Sequence, residues 1–336
     1  MRTPAAPGAG RLRMTREFRH DPVMVDEVVE ALATTPQGVL VDATVGGGGH
    51  AAALLAASTS HRLIGVDRDP AAIEAAAERL APFGARAQLV RARFDEVAAV
   101  LDELAPGEPF AGVLFDLGVS SPQFDEAERG FSYRFEAPLD MRMDPDDPHS
   151  AADVVNRWSE EALAELFSEN GEPRFARRIA RAVVAARPLQ TTLELADVVR
   201  GAIPPAARQR GGHPAKRVFQ AVRIAVNQEL ELLPVALERA ASRLAPGGRA
   251  VVISYHSGED RIAKRLFAEA AAGWCTCPPG LPCVCGAVPA MRVLTRGARM
   301  PSAAELAANP RSASARLRVA ERLEAPWRAG GSGEEA

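Results

Sequence analysis

Lysine is nearly missing from this chain: of its 40 basic residues, only Lys216 and Lys264 are lysines. Arginine suits phosphate and base-edge contacts, but with so much alanine the bias is also what GC-rich coding produces. Long apolar runs are missing too. Residues 270–291 form the longest stretch without Asp, Glu, Lys or Arg, and prolines, glycines and cysteines break it up. Residues 43–60 are also free of Asp, Glu, Lys and Arg but carry four consecutive glycines. Neither offers the roughly 20 consecutive apolar residues of a transmembrane helix. The first sixteen residues hold Arg2, Arg11, Arg13 and Arg16 but no apolar segment, which argues against a secretory signal. Residues 1–17 and 326–336 read as disordered tails, and Met14 is a second candidate start. Four cysteines in 336 residues do not make a disulfide scaffold. These absences place the protein in the cytoplasm. A net charge of −3 excludes a general polycation but leaves room for a local basic patch. No internal repeat is visible. What is present is 47% hydrophobic and 25% charged residues, the balance of a soluble globular protein, so wholesale disorder is excluded.

Short apolar runs alternate with helical stretches along the first third. Val39 to Asp42, Leu63 to Asp67 and Phe110 to Asp116 read as strands ending in an acid, and residues 87–90 as a strand between the last two. Helices are expected over residues 51–57, 70–80 and 95–104, the second opened by Asp69 as N-cap and Pro70 at the first helical position. This order implies a parallel, doubly wound sheet. The alternation then stops. Residues 151–186 and 192–203 read as helical, and 224–244 as one long helix kinked at Pro234 and closed by Gly247 and Gly248. A strand over 249–254, a helix over 259–272 and a last strand over 315–323 resume the sheet. The expected division is a discontinuous α/β domain, residues 18–125 and 219–325, holding a mostly helical insertion over 126–218, a size typical of an inserted module.

The segment from Gly46 to Ala51 fits G-x-G-x-x-A between a strand and a helix, with Asp67 about 20 residues on as a ribose partner. Two enzyme classes share that pattern. One seats a dinucleotide pyrophosphate on the helix N-terminus. The other binds S-adenosylmethionine, which has no phosphate. Asp42 would repel a pyrophosphate but suits the ammonium of a methionine moiety, and Asp116 sits at the switch point where such sheets bind ligands. Three acid-terminated strands around the glycines favour S-adenosylmethionine. His50 alone reads as a residue that shapes the loop or edges the ligand.

Later motifs are more specific. Asp42-Ala-Thr-Val-Gly-Gly-Gly-Gly-His50, Asp116-Leu-Gly-Val-Ser-Ser-Pro-Gln123, Arg129-Gly-Phe-Ser132, Leu139-Asp-Met-Arg-Met-Asp144, His213-Pro-Ala-Lys-Arg-Val-Phe-Gln-Ala221 and Ser254-Tyr-His-Ser257 occur in this order. Together they resemble the ribosomal small subunit methyltransferase H, or MraW, family over roughly residues 18–323. The resemblance implies a Rossmann-like S-adenosylmethionine-dependent methyltransferase sheet with an inserted helical domain. It implies methylation of N4 of a cytidine in the decoding region of 16S rRNA, within the small ribosomal subunit, and allows a homodimer. It maps cofactor contacts onto Gly48, Gly49, His50, Asp67, Phe94, Asp116 and Gln123; Phe94 would otherwise read as core. Gly258 stands where the family usually has leucine, Gly47 where it has a basic residue and Val45 where it has phenylalanine.

The exocyclic amine of cytosine is a poor nucleophile, because its lone pair is delocalised into the ring. A site can hold nitrogen, methyl and sulfur in line, accept hydrogen bonds from the amine, and receive its proton. The loop from Leu117 to Gln123 is the expected place, with Ser120, Ser121 and its carbonyls as acceptors or as mere turn residues. Asp140 and His256 are further candidates for the proton. The target base must leave its stack, and Phe131, Tyr133 and Arg134 could stack on it. Lys216, Arg217 and Arg223, with Arg208 and Arg210, form a basic cluster that reads either as a phosphate-binding surface or as a solvated face. Cys275-x-Cys277 and Cys283-x-Cys285 are either a structural zinc site, with gaps tighter than usual, or free or redox-active thiols. Two other functions compete: a nicotinamide-dependent dehydrogenase, opposed by Asp42, and a non-catalytic RNA-binding factor, opposed by the intact cofactor motifs.

Overall fold

Strand ends set where this fold can work. The computed structural model describes residues 22–119, 123, 126–208, 213–278 and 280–327. Its sheet has seven strands: β1 (Gly38–Asp42), β2 (His61–Asp67), β3 (Ala87–Arg91), β4 (Phe110–Asp116), β5 (Leu244–Ser254), β6 (Met291–Val293) and β7 (Arg316–Arg322). Their order is β3-β2-β1-β4-β5-β7-β6. The first five pair in parallel, and β7 is antiparallel to both β5 and β6. The doubly wound sheet and the Rossmann-like methyltransferase architecture are thus as expected, while β6 has no counterpart in the strands read from sequence.

The helices are α1 (Val25–Leu32), α2 (Gly49–Ala57), α3 (Pro70–Leu80), α4 (Val97–Leu104), α5 (Ala151–Arg157), α6 (Glu160–Asn170), α7 (Ala176–Ala185), α8 (Thr192–Ala202), α9 (Pro205–Arg208), α10 (Ala215–Asn227), α11 (Glu229–Ser242), α12 (Ser257–Ala271) and α13 (Ala303–Ala308). Side chains alternate across the strands. Leu40, Leu63, Leu114 and Val251 pack under α1, α2 and α3, while Val41, Ile64, Val113 and Val252 meet α4, α11 and α12. Among the described residues, no helix is long and apolar enough to cross a membrane.

A third buried cluster belongs to the helices between β4 and β5. It runs from Phe131 to Val226 and holds Phe167, Ile179, Leu195 and Val218. Helix α10 belongs to this cluster and carries it past residue 218. The helical stretch 151–186 is made of three helices, and two of them begin on serine caps, Ser150 and Ser159. The expected single helix over 224–244 is corrected. The break falls at Gln228, in the left-handed region at φ 52°, and Pro234 lies inside α11.

Candidate active site

The parallel register places the three strand-end acids at two levels. Asp42 pairs with Gly65 on β2 and Leu114 on β4, so both neighbours continue two residues further, to Asp67 and Asp116. Two residues of strand are roughly 6.6 Å. Asp67 and Asp116 therefore reach the crevice, while Asp42 stays beneath it at 1% exposure and accepts from the Thr44 N–H at 3.2 Å. Burial pushes the Asp42 carboxyl up to about 8, against the Thr44 bond and helped by the charges of Asp116 and Asp67. Near neutral pH it is mostly an uncharged acid. Asp42 is not among the residues that line the cavity, and its raised carboxyl makes it a weaker partner for an ammonium group than its place at the strand end suggests.

A cavity of about 600 Å³ opens above these ends, lined by Gly46, Gly47, Gly49, His50, Asp67, Phe94, Asp116, Gln123, Glu229, Tyr255 and Glu259, among others. The glycine loop bends around it. Gly48 has φ 75°, and a Cβ there would stand 3.2 Å from the Ala76 backbone of α3. Its lack of a side chain lets α2 and α3 approach; Gly48 packs away from the cavity and does not line it. Asp67 fastens the loop, taking the Gly46 N–H at 2.9 Å and the Asp69 N–H at 2.9 Å, one on each oxygen. A carboxylate has about four acceptor positions, so two remain for a ligand. Burial raises Asp67 to about 6; the Asp69 and Gly46 N–H bonds and Arg68 oppose the rise, and the Asp69 charge adds to it.

Asp116 is the hub of the opposite wall. Its Oδ1 accepts from the Tyr255 hydroxyl at 2.9 Å, and its Oδ2 lies 3.6 Å from His50 Nδ1. His50 Nε2 faces the Val23 carbonyl at 2.9 Å. A carbonyl only accepts, so that nitrogen carries hydrogen and Nδ1 is left facing the carboxyl. Burial raises the Asp116 carboxyl, while the His50 charge and the Tyr255 bond pull it back. Burial beside Asp116 also raises the Tyr255 hydroxyl well above its ordinary value, so it stays a donor. Gly118, at φ 112°, makes room for that ring: a Cβ would meet Tyr255 Cδ2 at 3.1 Å. Sequence reasoning passed over Tyr255, although it directly follows the end of β5, opposite the end of β4.

Phe94 opens a short 3-10 turn after β3 and meets the Phe115 ring edge-on at 6.4 Å. Gln123 donates to Asp69 Oδ2 at 2.8 Å, and Arg129 reaches the same oxygen at 3.0 Å. Ser120 and Ser121 lie outside the described residues, as does Arg210. His256 caps α12, with Nδ1 accepting from the Gly258 N–H at 3.2 Å. Its Nε2 stands 3.0 Å from Glu259 Oε1, off the angle of a hydrogen bond. Gly258 leaves this cap room, since a Cβ would come within 3.0 Å of Leu230 and 3.1 Å of the His256 ring.

Several candidates sit elsewhere. Both Asp140 oxygens hold the Arg142 guanidinium at 2.8 Å. Burial would raise this carboxyl, but the Arg142 bonds and charge outweigh it and leave it below its ordinary value. Asp140 is thus a poor proton acceptor and does not line the cavity. Phe131 is 7% exposed within the helical cluster, so it does not offer a stacking face. Tyr133 is already stacked on His213, with centroids 4.7 Å apart. Arg223 is half-buried and holds both oxygens of Glu229 at 2.8 Å, which takes it out of the candidate phosphate-binding cluster. Lys216 and Arg217 are exposed, and Arg217 pairs with Glu172 at 2.9 Å. The four cysteines come together in the loop between α12 and β6, and none lines the cavity.

Comparison with known proteins fits this arrangement. The MraW methylase family matches residues 17–323. A ribosomal RNA small subunit methyltransferase H from Symbiobacterium thermophilum is 53% identical over 324 residues, covering 95% of this chain and 99% of that protein. One from Thermobifida fusca is 54% identical over 314 residues, covering 91% and 94%. One from Geobacter sulfurreducens is 53% identical over 311 residues, covering 91% and 99%. Among solved structures, an rRNA methylase from Streptococcus thermophilus is 14% identical and covers 89% of this chain and 94% of that one, with a TM-score of 0.39. With its glycine cavity at the switch point of a seven-stranded sheet and these relatives along nearly its whole length, the chain belongs to the MraW methylase family.

Proposed function

We infer that this methyltransferase uses S-adenosylmethionine to methylate N4 of a cytidine in the decoding region of 16S rRNA, acting in the cytoplasm on the small ribosomal subunit. The observation that carries the cofactor is the cavity itself. Two carboxyls at the ends of the strands on either side of β1, a side-chain-free glycine bend and the Phe94 ring line one crevice of about 600 Å³. That is within the usual range for small-molecule sites. The names of the relatives support the rRNA substrate.

When bound, the cofactor supplies an electrophilic methyl group on a sulfonium. Asp67 would accept the ribose hydroxyls with the lone pairs that the loop leaves free, and Phe94 would supply an apolar face for the adenine. The Asp116–Tyr255–His50 group fixes the end of β4, from which Leu117, Gly118 and Val119 run along the cavity wall. Ser120 and Ser121 follow them in sequence, before Gln123 at the wall again. In this reading a serine hydroxyl or a carbonyl of that segment accepts a hydrogen bond from the cytosine amine and turns its lone pair toward the methyl; as the C–N bond forms and the C–S bond breaks, the amine's proton is released to solvent. The sulfonium makes a strong base unnecessary, which agrees with Asp140 being committed to Arg142.

Transfer of labelled methyl from S-adenosylmethionine to small subunits and to naked 16S rRNA, followed by nucleoside mass spectrometry, tests this. The expected product is N4-methylcytidine at one site, formed faster on the subunit. A methylated base other than cytosine, or no transfer to either RNA, overturns the reading.

A further inference from the structure

One chemistry-bearing cluster lies outside the methyl-transfer site, in the loop between α12 and β6. Cys275 Sγ lies 3.5 Å from Cys283 Sγ and 3.6 Å from Cys285 Sγ, and the last two are 3.5 Å apart. With Cys277, all four sulfurs lie within 4.8 Å of one another. Four sulfurs at about 2.3 Å from one tetrahedral ion stand roughly 3.8 Å apart. The observed spacing is that of a four-thiolate shell to within a few tenths of an ångström for three of the four. A disulfide needs sulfurs about 2.05 Å apart, and all four cysteines are free thiols.

The backbone is shaped for this convergence. Two Cys-x-Cys pairs flank five residues that include Pro278, Gly280 and Pro282, with Gly280 in the left-handed region at φ 85°. The Val284 N–H donates to Cys277 Sγ at 3.4 Å, the kind of contact that stabilises a thiolate. At the base, Ala290 N–H donates to Ala270 O at 2.9 Å, and Gly273 lies so close to Val288 that a Cβ would stand 2.5 Å from its carbonyl oxygen. The loop is thus anchored at its foot, but its tip buries little. Leu281 is 66% and Val284 88% exposed. A segment that cannot bury apolar surface needs another source of order, and a metal cross-link is one.

We propose that Cys275, Cys277, Cys283 and Cys285 bind one structural zinc ion that staples this loop to the end of α12. Thiolate donors select a soft or borderline ion over magnesium or calcium. Four protein ligands close the coordination shell, so the ion has no open position for catalysis. Binding is an exchange without redox change: each thiol releases its proton to solvent, four in all, and four S–Zn bonds form. This site is separate from the methyl-transfer reading and stands or falls without it.

The test uses the full chain, purified under reducing, anaerobic conditions without chelator and then incubated with zinc. Elemental analysis and native mass spectrometry are expected to find one zinc per chain, released by a mercurial reagent as four thiols are titrated. Cobalt(II) is expected to give the visible absorption of a tetrahedral thiolate site. The double variant Cys283→Ser with Cys285→Ser is expected to lose the bound zinc and to become cleavable by protease within the loop. Should that variant not fold, cobalt spectra and zinc release by a chelator from the unaltered chain decide the matter. Substoichiometric zinc after reconstitution, cobalt bound only in octahedral form, or full zinc retention by the double variant overturns the proposal.

Discussion

Asp67 carries the sharpest expectations at the scale of a residue. It is both the clasp of the glycine loop and the proposed partner of the ribose. Asp67→Ala is expected to weaken S-adenosylmethionine binding by about 1.5–3 kcal/mol, the range for hydrogen bonds to a charged group; calorimetric titration of a folded variant checks it. Only the ionised carboxylate accepts both hydroxyls, and burial holds this one at about 6. Affinity should therefore fall as pH drops through 6, by about tenfold at pH 5 relative to neutral pH if this one proton governs it. Binding unaffected by pH over that range would mean that another group takes the ribose. The sign for folding is opposite. With its folded value raised above the ordinary one, Asp67 favours the fold at low pH, and that contribution is lost as pH rises toward 6 and beyond. Arg223 makes a different kind of claim. Its guanidinium is held in a two-pronged pair with Glu229. Arg223→Ala leaves that carboxylate buried without its partner and should cost about 3–5 kcal/mol of stability in chemical denaturation. A phosphate-binding arginine on the surface would cost almost nothing there.

Elements show how far the sequence could be read. The parallel strands were legible because each is a short apolar run closed by an acid, and helices fall between them. Which acid reaches the crevice was not legible, because it depends on β1 ending two residues before its neighbours, and register appears only when strands pair. The break at Gln228 was silent because nothing but glycine, or less often asparagine, advertises a left-handed residue. Pro234 drew the eye instead, yet α11 accommodates it. Arg223 was misplaced for a reason that the sequence does contain: residues 221–226 are apolar on both sides of it, and α10 buries Ala221, Val222, Ile224, Val226 and Asn227, leaving no exposed residue there. The loop after β4 was read as the catalytic one from its position alone. Its described ends, Leu117 to Val119 and Gln123, do line the cavity. Ser120→Ala and Ser121→Ala, made separately, are expected to slow single-turnover methylation by roughly five- to thirtyfold, the value of one neutral hydrogen bond of about 1–2 kcal/mol. Cofactor affinity should hold, since a bond that strengthens only as the nitrogen loses conjugation shows in the rate. Wild-type rates in both variants would move the acceptor role to the carbonyls.

On the scale of the whole molecule, an acidic cavity must meet a polyanion. Asp67, Asp116, Glu229 and Glu259 line the crevice, and the net charge is −3, so a basic surface away from these acids would help to hold RNA. We propose the helical cluster between β4 and β5 for that role, because the first turn of α10 puts Lys216 and Arg217 in solvent while the rest of that helix is buried or half-buried. Arg217 is held by Glu172, but an exposed ion pair is worth only about 0–1 kcal/mol, so a phosphate can displace it at little cost. Replacing both residues by alanine should weaken binding to the small subunit without changing S-adenosylmethionine affinity. It should also flatten the dependence of log K on log salt by about 0.7–0.9 for each phosphate that the variant no longer neutralises. Lys216 should account for more of that change than Arg217, because Arg217 gives up an existing pair to reach a phosphate. A salt series measured by filter binding, with Lys216→Ala, Arg217→Ala and the double variant side by side, separates the cases. If all three variants follow the wild-type line, the turn is a solvated face, and the RNA must be held by residues nearer the cavity mouth, where Arg79 and Arg311 line the opening.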